Sequence, residues 1–119
     1  MAAIGKEAIE QIKVVEWIKQ CTDLPVIHTA NERKCSPQMG SILKRMGVRP
    51  GVADLLIPRQ HSRGISTWIE MKAPNGKLSS LQQQFLSDMK CEGFYADVCY
   101  SAESAISLIC ELYGIKKPF

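Results

Sequence analysis

The sequence predicts an α/β domain: a mixed central sheet flanked by helices, in the order α-β-(α)-β-β-α-β-α. Three observations predict it. The chain has 119 residues, 45% of them hydrophobic and 23% charged. That is the size and balance of one folded unit rather than a disordered segment, so residues 1–119 are expected to form a single domain. Two apolar, β-rich runs are separated by only a short polar turn, which makes them an antiparallel hairpin. The second run is followed by a helical pattern and then another strand, and such a crossover makes parallel neighbours.

Along the chain, Ile9, Ile12, Val15 and Ile18 recur at helical spacing with Trp17 beside them, which predicts a helix over residues 6–21 buried along that stripe. Pro25 ends the region, and residues 25–29 (Pro-Val-Ile-His-Thr) form a short β-rich run. Residues 31–38 read as a polar loop, and residues 41–47 as a turn or two of helix stopped at Gly47. Residues 52–57, bounded by Gly51 and Pro58, are a continuous apolar run with one acid, the pattern of a buried strand. After the polar turn at 60–64, residues 65–71 make the next strand, ended near Pro74 and Asn75-Gly76. Ser79-x-x-Gln82 is a capping-box pattern opening a helix with the stripe Leu81, Phe85, Leu86 and Met89, stopped by Gly93. Residues 95–100 alternate as a strand does, and Ser101 caps a last helix that runs to Gly114.

Composition excludes several classes. No run of 18 apolar residues exists to cross a membrane. The charged start, MAAIGKEAIEQIK, is unlike a signal peptide, so an intracellular protein, in the cytoplasm or nucleoid of a host, is expected rather than a secreted one. The five cysteines, Cys21, Cys35, Cys91, Cys99 and Cys110, are odd in number and contain no CxxC pair, which fits neither a zinc ribbon nor a disulfide framework. Cys99 and Cys110 read as buried structural thiols. The net charge of +3 is unevenly spread: between Asn31 and Pro50, Arg33, Lys34, Lys44, Arg45 and Arg49 face the single acid Glu32. A basic segment on a near-neutral body suits phosphate contact, and suits a solvated face as well.

Asp54 and Glu70 each sit inside an apolar strand, where a charged carboxylate is costly unless it meets a cation. Side chains alternate along a strand, so Glu70 and Lys72 share a direction and Met71 points the other way. Hairpin pairing sets Asp54 beside Glu70. Two adjacent carboxylates stay ionised together only with positive charge between them, and Mg²⁺, which prefers oxygen ligands, answers that need. Lys72 is then placed to orient or deprotonate a water, or to neutralise charge growing on a phosphate. A D…ExK spacing alone carries little information, since the same residues also make an edge-strand ion pair and a turn aspartate. The apolar setting of both acids favours the site.

The residues around them carry a resemblance. Gly47-Val48-Arg49-Pro50-Gly51-Val52-Ala53-Asp54-Leu55, then Trp68-Ile69-Glu70-Met71-Lys72-Ala73-Pro74, then Gly76-Lys77-Leu78-Ser79-x-x-Gln82 resemble, in this order, the virus-type replication-repair nuclease (VRR-NUC) domain, a branch of the PD-(D/E)xK nuclease superfamily. The likeness runs from the first helix to the last. It departs at Ala53, where the family has proline; proline is no ligand, so the chemistry is expected to survive. The resemblance implies the restriction-endonuclease-like PD-(D/E)xK fold. It also implies that Asp54, Glu70 and the backbone carbonyl of Met71 bind Mg²⁺ or Mn²⁺, and that Lys72 is the catalytic lysine. Gln82 matches the family's glutamine near the active site, although as the third residue of a capping box it has a structural role available. An acid on the first helix belongs to the pattern: Glu10 is the better match, with Glu7 one turn earlier as the alternative.

The activity implied by the resemblance is that of a metal-dependent DNA phosphodiesterase. Arg33, Lys34, Lys44, Arg45 and Arg49 are expected on the rim of its site, positioning phosphates rather than reading bases. Stand-alone, phage-type members of the family act as homodimers on four-way (Holliday) junctions, so a junction-resolving homodimer acting on branched DNA is expected here. A flap or nicking nuclease of DNA repair or replication, and a non-catalytic DNA-binding module, are the competing readings. His28 is near enough in sequence to approach a phosphate or base, but reads more simply as structural. His61, in the hairpin turn, reads as solvated, and Trp68 as core.

Overall fold

The computed structural model describes residues 4–29 and 36–119. Its helices are α1 (Lys6–Cys21), α2 (Pro37–Arg45), α3 (Ser80–Cys91) and α4 (Ala102–Tyr113), and its strands are β1 (Ile27–His28), β2 (Leu55–Ile57), β3 (Thr67–Met71) and β4 (Tyr95–Cys99). The sheet runs β1-β2-β3-β4. The first two pairings are antiparallel and the last is parallel, with Leu55 opposite Ile69 and Glu70 beside Val98. The mixed sheet flanked by helices is the predicted α/β architecture.

Alternation along β3 divides the interior into two cores. Ile69 and Met71 join Leu55, Ile57, Val14, Ile18, Ala105 and Ile109, packing α1 and α4 onto one face. Phe85, Leu86, Ala53 and Ala96 form the other core with Trp68, whose ring meets Phe85 edge-on at 5.0 Å and 88°. Trp68 is therefore core, as its setting predicted. Full burial of a Leu or Ile side chain stabilises by about 1.5–3 kcal/mol, so these clusters are the main apolar support of the sheet. Cys99 and Cys110 lie buried in this framework. Burial, reinforced by Asp97, pushes the Cys99 thiol up to about 12, so it stays protonated and inert.

Three elements differ from expectation for identifiable reasons. In α1 the buried residues are Val14 and Ile18, while Ile9 and Ile12 are 40% and 44% exposed. The inward face is the line 7-11-14-18, so its N-terminal half carries polar residues, and a stripe counted from isoleucines alone misses the rotation. Helix α2 starts inside the expected loop because Ser36 and Pro37 form an N-terminus: Ser36 Oγ accepts the Met39 N–H at 3.2 Å and Pro37 occupies the first turn. Strand β2 is only three residues long, so Asp54 is buried yet lies just outside the ladder.

Two capping boxes hold the later helices as predicted or better. Ser79 and Gln82 exchange bonds at the start of α3, and Ser101 and Ser104 do so at α4. The segment leading to Asp54 is located by Gly51. Its φ is +84°, and a Cβ there would lie 2.6 Å from the backbone carbon of Leu81. A side chain would thus be both strained and obstructed, so glycine lets this loop rest directly on the first turn of α3.

Candidate active site

The site forms where the hairpin begins and β3 ends. Leu55 pairs with Ile69, so Asp54 falls next to Glu70 and Met71. The Met71 N–H donates to Asp54 Oδ2 at 2.8 Å, fixing the carboxylate across the two strands. From the other side Thr29 holds the same backbone: its N–H donates to the Asp54 carbonyl at 2.9 Å, and its hydroxyl donates to the Ala53 carbonyl. These bonds set the position of Asp54 through the main chain and leave little freedom to its side chain.

Glu7, from the first turn of α1, completes the group. Glu7, Asp54 and Glu70 each offer one oxygen, and these oxygens all lie within 4.8 Å of one another. Asp54 is 4% exposed and Glu70 1%. Like charges at that separation repel by at least about 3 kcal/mol per pair at an effective dielectric near 20. Lys72 Nζ stands 3.9 Å from Glu70 Oε2, with only 13% of its side chain exposed. Among the described residues the group is three carboxylates with the Lys72 ammonium beside them, a centre built from hard oxygen donors. That donor set fits Mg²⁺ or Mn²⁺ and does not fit a thiophilic metal.

A cleft of about 360 Å³ opens beside the acids, lined by Gly5, Glu7, Ala8, Gln11, Ile12, His28 and Asp54. His28 lies in its wall, with Nδ1 2.9 Å from the Asp54 carbonyl oxygen and 3.0 Å from the Gln11 amide nitrogen. The sequence pattern favours a structural role for His28. The one usable signal for more is its place on a strand paired directly with the strand that follows Asp54.

The other predicted site residues fall both inside and outside this cluster. Met71 brings its main chain to the cluster while its side chain is wholly buried. Glu10, preferred to Glu7 as the first-helix acid, belongs elsewhere: its Oε1 accepts the Ala102 N–H at 3.1 Å and its Oε2 pairs with Lys13 at 3.0 Å. The α4 N-terminus and Lys13 hold its carboxyl below the usual carboxylate range. Glu7 and Glu10 are three residues apart on one helix, and its rotation about its axis decides which acid reaches the sheet. Gln82 forms the cap, with Oε1 accepting the Ser79 N–H at 2.9 Å.

Among the basic residues, Arg33 and Lys34 lie outside the described residues. Lys44 and Arg45 are exposed on the last turn of α2. Arg49, predicted for the phosphate rim, pairs with Asp88 of α3 at 2.5 Å and stacks 5.2 Å from the centre of Phe85. His61 is not merely solvated. Its Nε2 lies 3.0 Å from the Thr67 hydroxyl and its ring packs edge-on against Tyr95 and Tyr113.

Comparison with known proteins accords with this geometry. The family model for the VRR-NUC domain matches residues 4–103. A solved structure described as a VRR-NUC domain protein is similar with a TM-score of 0.77, at 24% identity, over 98% of this chain and 94% of its own, a likeness of fold. No curated protein matches the sequence significantly.

Proposed function

The chain belongs to the VRR-NUC family, nucleases of the PD-(D/E)xK type acting on DNA, and from that premise we propose that it is a divalent-metal-dependent, structure-selective endonuclease that resolves four-way junctions as a homodimer. Residues 1–119 would act as one catalytic domain. The observation that carries the reading is the convergence of Glu7, Asp54 and Glu70 beside Lys72.

Glu7, Asp54 and Glu70 would hold Mg²⁺ or Mn²⁺, which supplies charge stabilisation at a phosphate and a more acidic water. The chain's own residues do the rest. Asp54, fixed through Met71 N–H and Thr29, presents its second oxygen in a set direction. Lys72 holds an ammonium in a poorly solvated position, where it neutralises charge developing on the phosphate or orients the attacking water. Lys44 and Arg45 supply exposed cations for flanking phosphates. A two-fold dimer presents two such sites to the symmetric strands of a junction. No helix among the described residues is long and apolar enough to cross a membrane.

The test is purified protein against linear, flap, splayed and four-way DNAs, with Mg²⁺, Mn²⁺ or a chelator. Metal-dependent cutting that favours the four-way substrate, by a species sedimenting as a dimer, is expected. Preferred cutting of flaps or nicking of linear duplex would replace the junction assignment. Binding without turnover in either metal would make the chain a DNA-binding module. In the same assay Glu7→Gln is expected to slow cleavage by about a hundredfold, and Glu10→Gln to leave it within about twofold.

A further inference from the structure

We propose that His28 is a positioning residue of the hydrolytic site, whose Nδ1–H is anchored to the main chain at Asp54 and whose Nε2 faces the cleft to accept a hydrogen bond from the attacking water. This deepens the nuclease reading and rests on it.

The tautomer follows from the two groups at Nδ1. The Asp54 carbonyl oxygen, 2.9 Å away, can only accept. The Gln11 amide nitrogen, 3.0 Å away, can only donate. A single ring nitrogen cannot satisfy both. The carbonyl is immobile, since it also accepts the Thr29 N–H and continues into β2. The Gln11 amide can turn by 180° about its last torsion, exchanging nitrogen for oxygen. The consistent arrangement puts the proton on Nδ1. In the neutral ring, Nε2 is then a lone-pair acceptor.

Position supplies the second half. His28 is exposed, and it borders both the 360 Å³ cleft that holds Glu7 and Asp54 and an adjoining hollow of about 330 Å³ along α1. Among the described residues, both hydrogen-bonding contacts of its ring run through Nδ1, which leaves Nε2 for a water in the hollows that the side chain lines. An acceptor held by the backbone of a site carboxylate orients a water at small entropic cost, because the ring cannot swing away.

Two substitutions separate anchoring from positioning. In His28→Asn the amide nitrogen stands close to Nδ1 and preserves donation to Asp54, while Nε2 is lost. His28→Ala removes both. The readouts are single-turnover cleavage of the preferred DNA in Mg²⁺, DNA binding with Ca²⁺ in place of Mg²⁺, thermal melting, and the histidine tautomer by long-range ¹H–¹⁵N NMR. Expected are an Nδ1–H tautomer in the parent, and for His28→Asn parental melting and DNA binding with cleavage slowed about tenfold or more, in the chemical rate rather than KM. Parental cleavage by His28→Asn, or an Nε2–H tautomer, would overturn the proposal and leave the nuclease assignment standing. A parent chain that cuts none of the DNAs would overturn both.

Discussion

Strand β3 carries a buried polar residue at each end, and the two are built on opposite principles. At its start Thr67 is wholly buried, and its hydroxyl lies 2.7 Å from the Tyr113 hydroxyl and 3.0 Å from His61 Nε2; Tyr113 in turn donates to the Arg59 carbonyl at 2.8 Å. Every polar atom in that chain has a neutral partner, so the network supports the fold and needs nothing from outside. Near its other end Glu70 is as deeply buried but stands among carboxylates, with Lys72 at 3.9 Å. The difference separates a polar group closed among neutral partners from one held in a group of carboxylates able to take a cation.

The largest expected effect comes from removing the crowded charge. Glu70→Gln should reduce cleavage at least about a hundredfold and weaken the stabilisation that Mg²⁺ gives the folded chain, since it removes one charged oxygen donor from the group. Urea unfolding with and without Mg²⁺ checks this: the parent should gain stability from the metal and the variant should gain much less. An equal gain from Mg²⁺ in parent and variant would mean that Glu70 does not hold the ion.

Thr67→Val at the other end should do the reverse. It is nearly isosteric and strips the central hydroxyl from a satisfied network, costing about 1–3 kcal/mol by urea unfolding with cleavage in Mg²⁺ unchanged. Loss of cleavage without loss of stability would erase the contrast between the two ends.

The smallest effects are in pH dependence, and they sharpen the comparison by location. Burial, assisted by Arg63, lowers the His61 pKa from its usual 6.5, so the folded chain resists a proton that the unfolded chain accepts. The stability this contributes is present above pH 6.5 and declines as pH falls toward the folded value. His61→Gln should flatten that slope. Glu10 is depressed from 4.5, so its contribution is intact above that pH and is lost as pH falls through its folded value. Glu10→Gln should cost about 0.5 kcal/mol at neutral pH, discounted for solvent screening, and nothing in acid. Thermal melting across pH 3–8 separates the two windows by comparison with each variant.

Much of this is legible in the chain because its signals are local. The capping box at Ser79, the stops at Gly93 and Gly114, and the apolar runs about Asp54 and Glu70 are each readable within a few residues, and together they dictate the hairpin and the crossover. The site is legible as far as it lies on or beside those strands: Asp54 and Glu70 stand out as acids in apolar runs, and Lys72 by its period of two from Glu70. What escapes depends on one helix's rotation. Glu7 and Glu10 look alike in sequence, and the exposed isoleucines Ile9 and Ile12 mislead about which side of α1 faces in. The anchor of His28 is a backbone carbonyl 26 positions away, and the Asp88 partner of Arg49 lies 39 positions away; no local pattern records either distance.

The bare backbone at Gly51 has a practical consequence for anyone who transplants this centre. Because that loop lies flush against the opening turn of α3, the carboxylate three residues later takes its bearings from a helix nearly thirty positions downstream. A scaffold given the hairpin alone would receive the right side chains aimed wrongly. The smallest portable piece is the hairpin together with the helix start it leans upon.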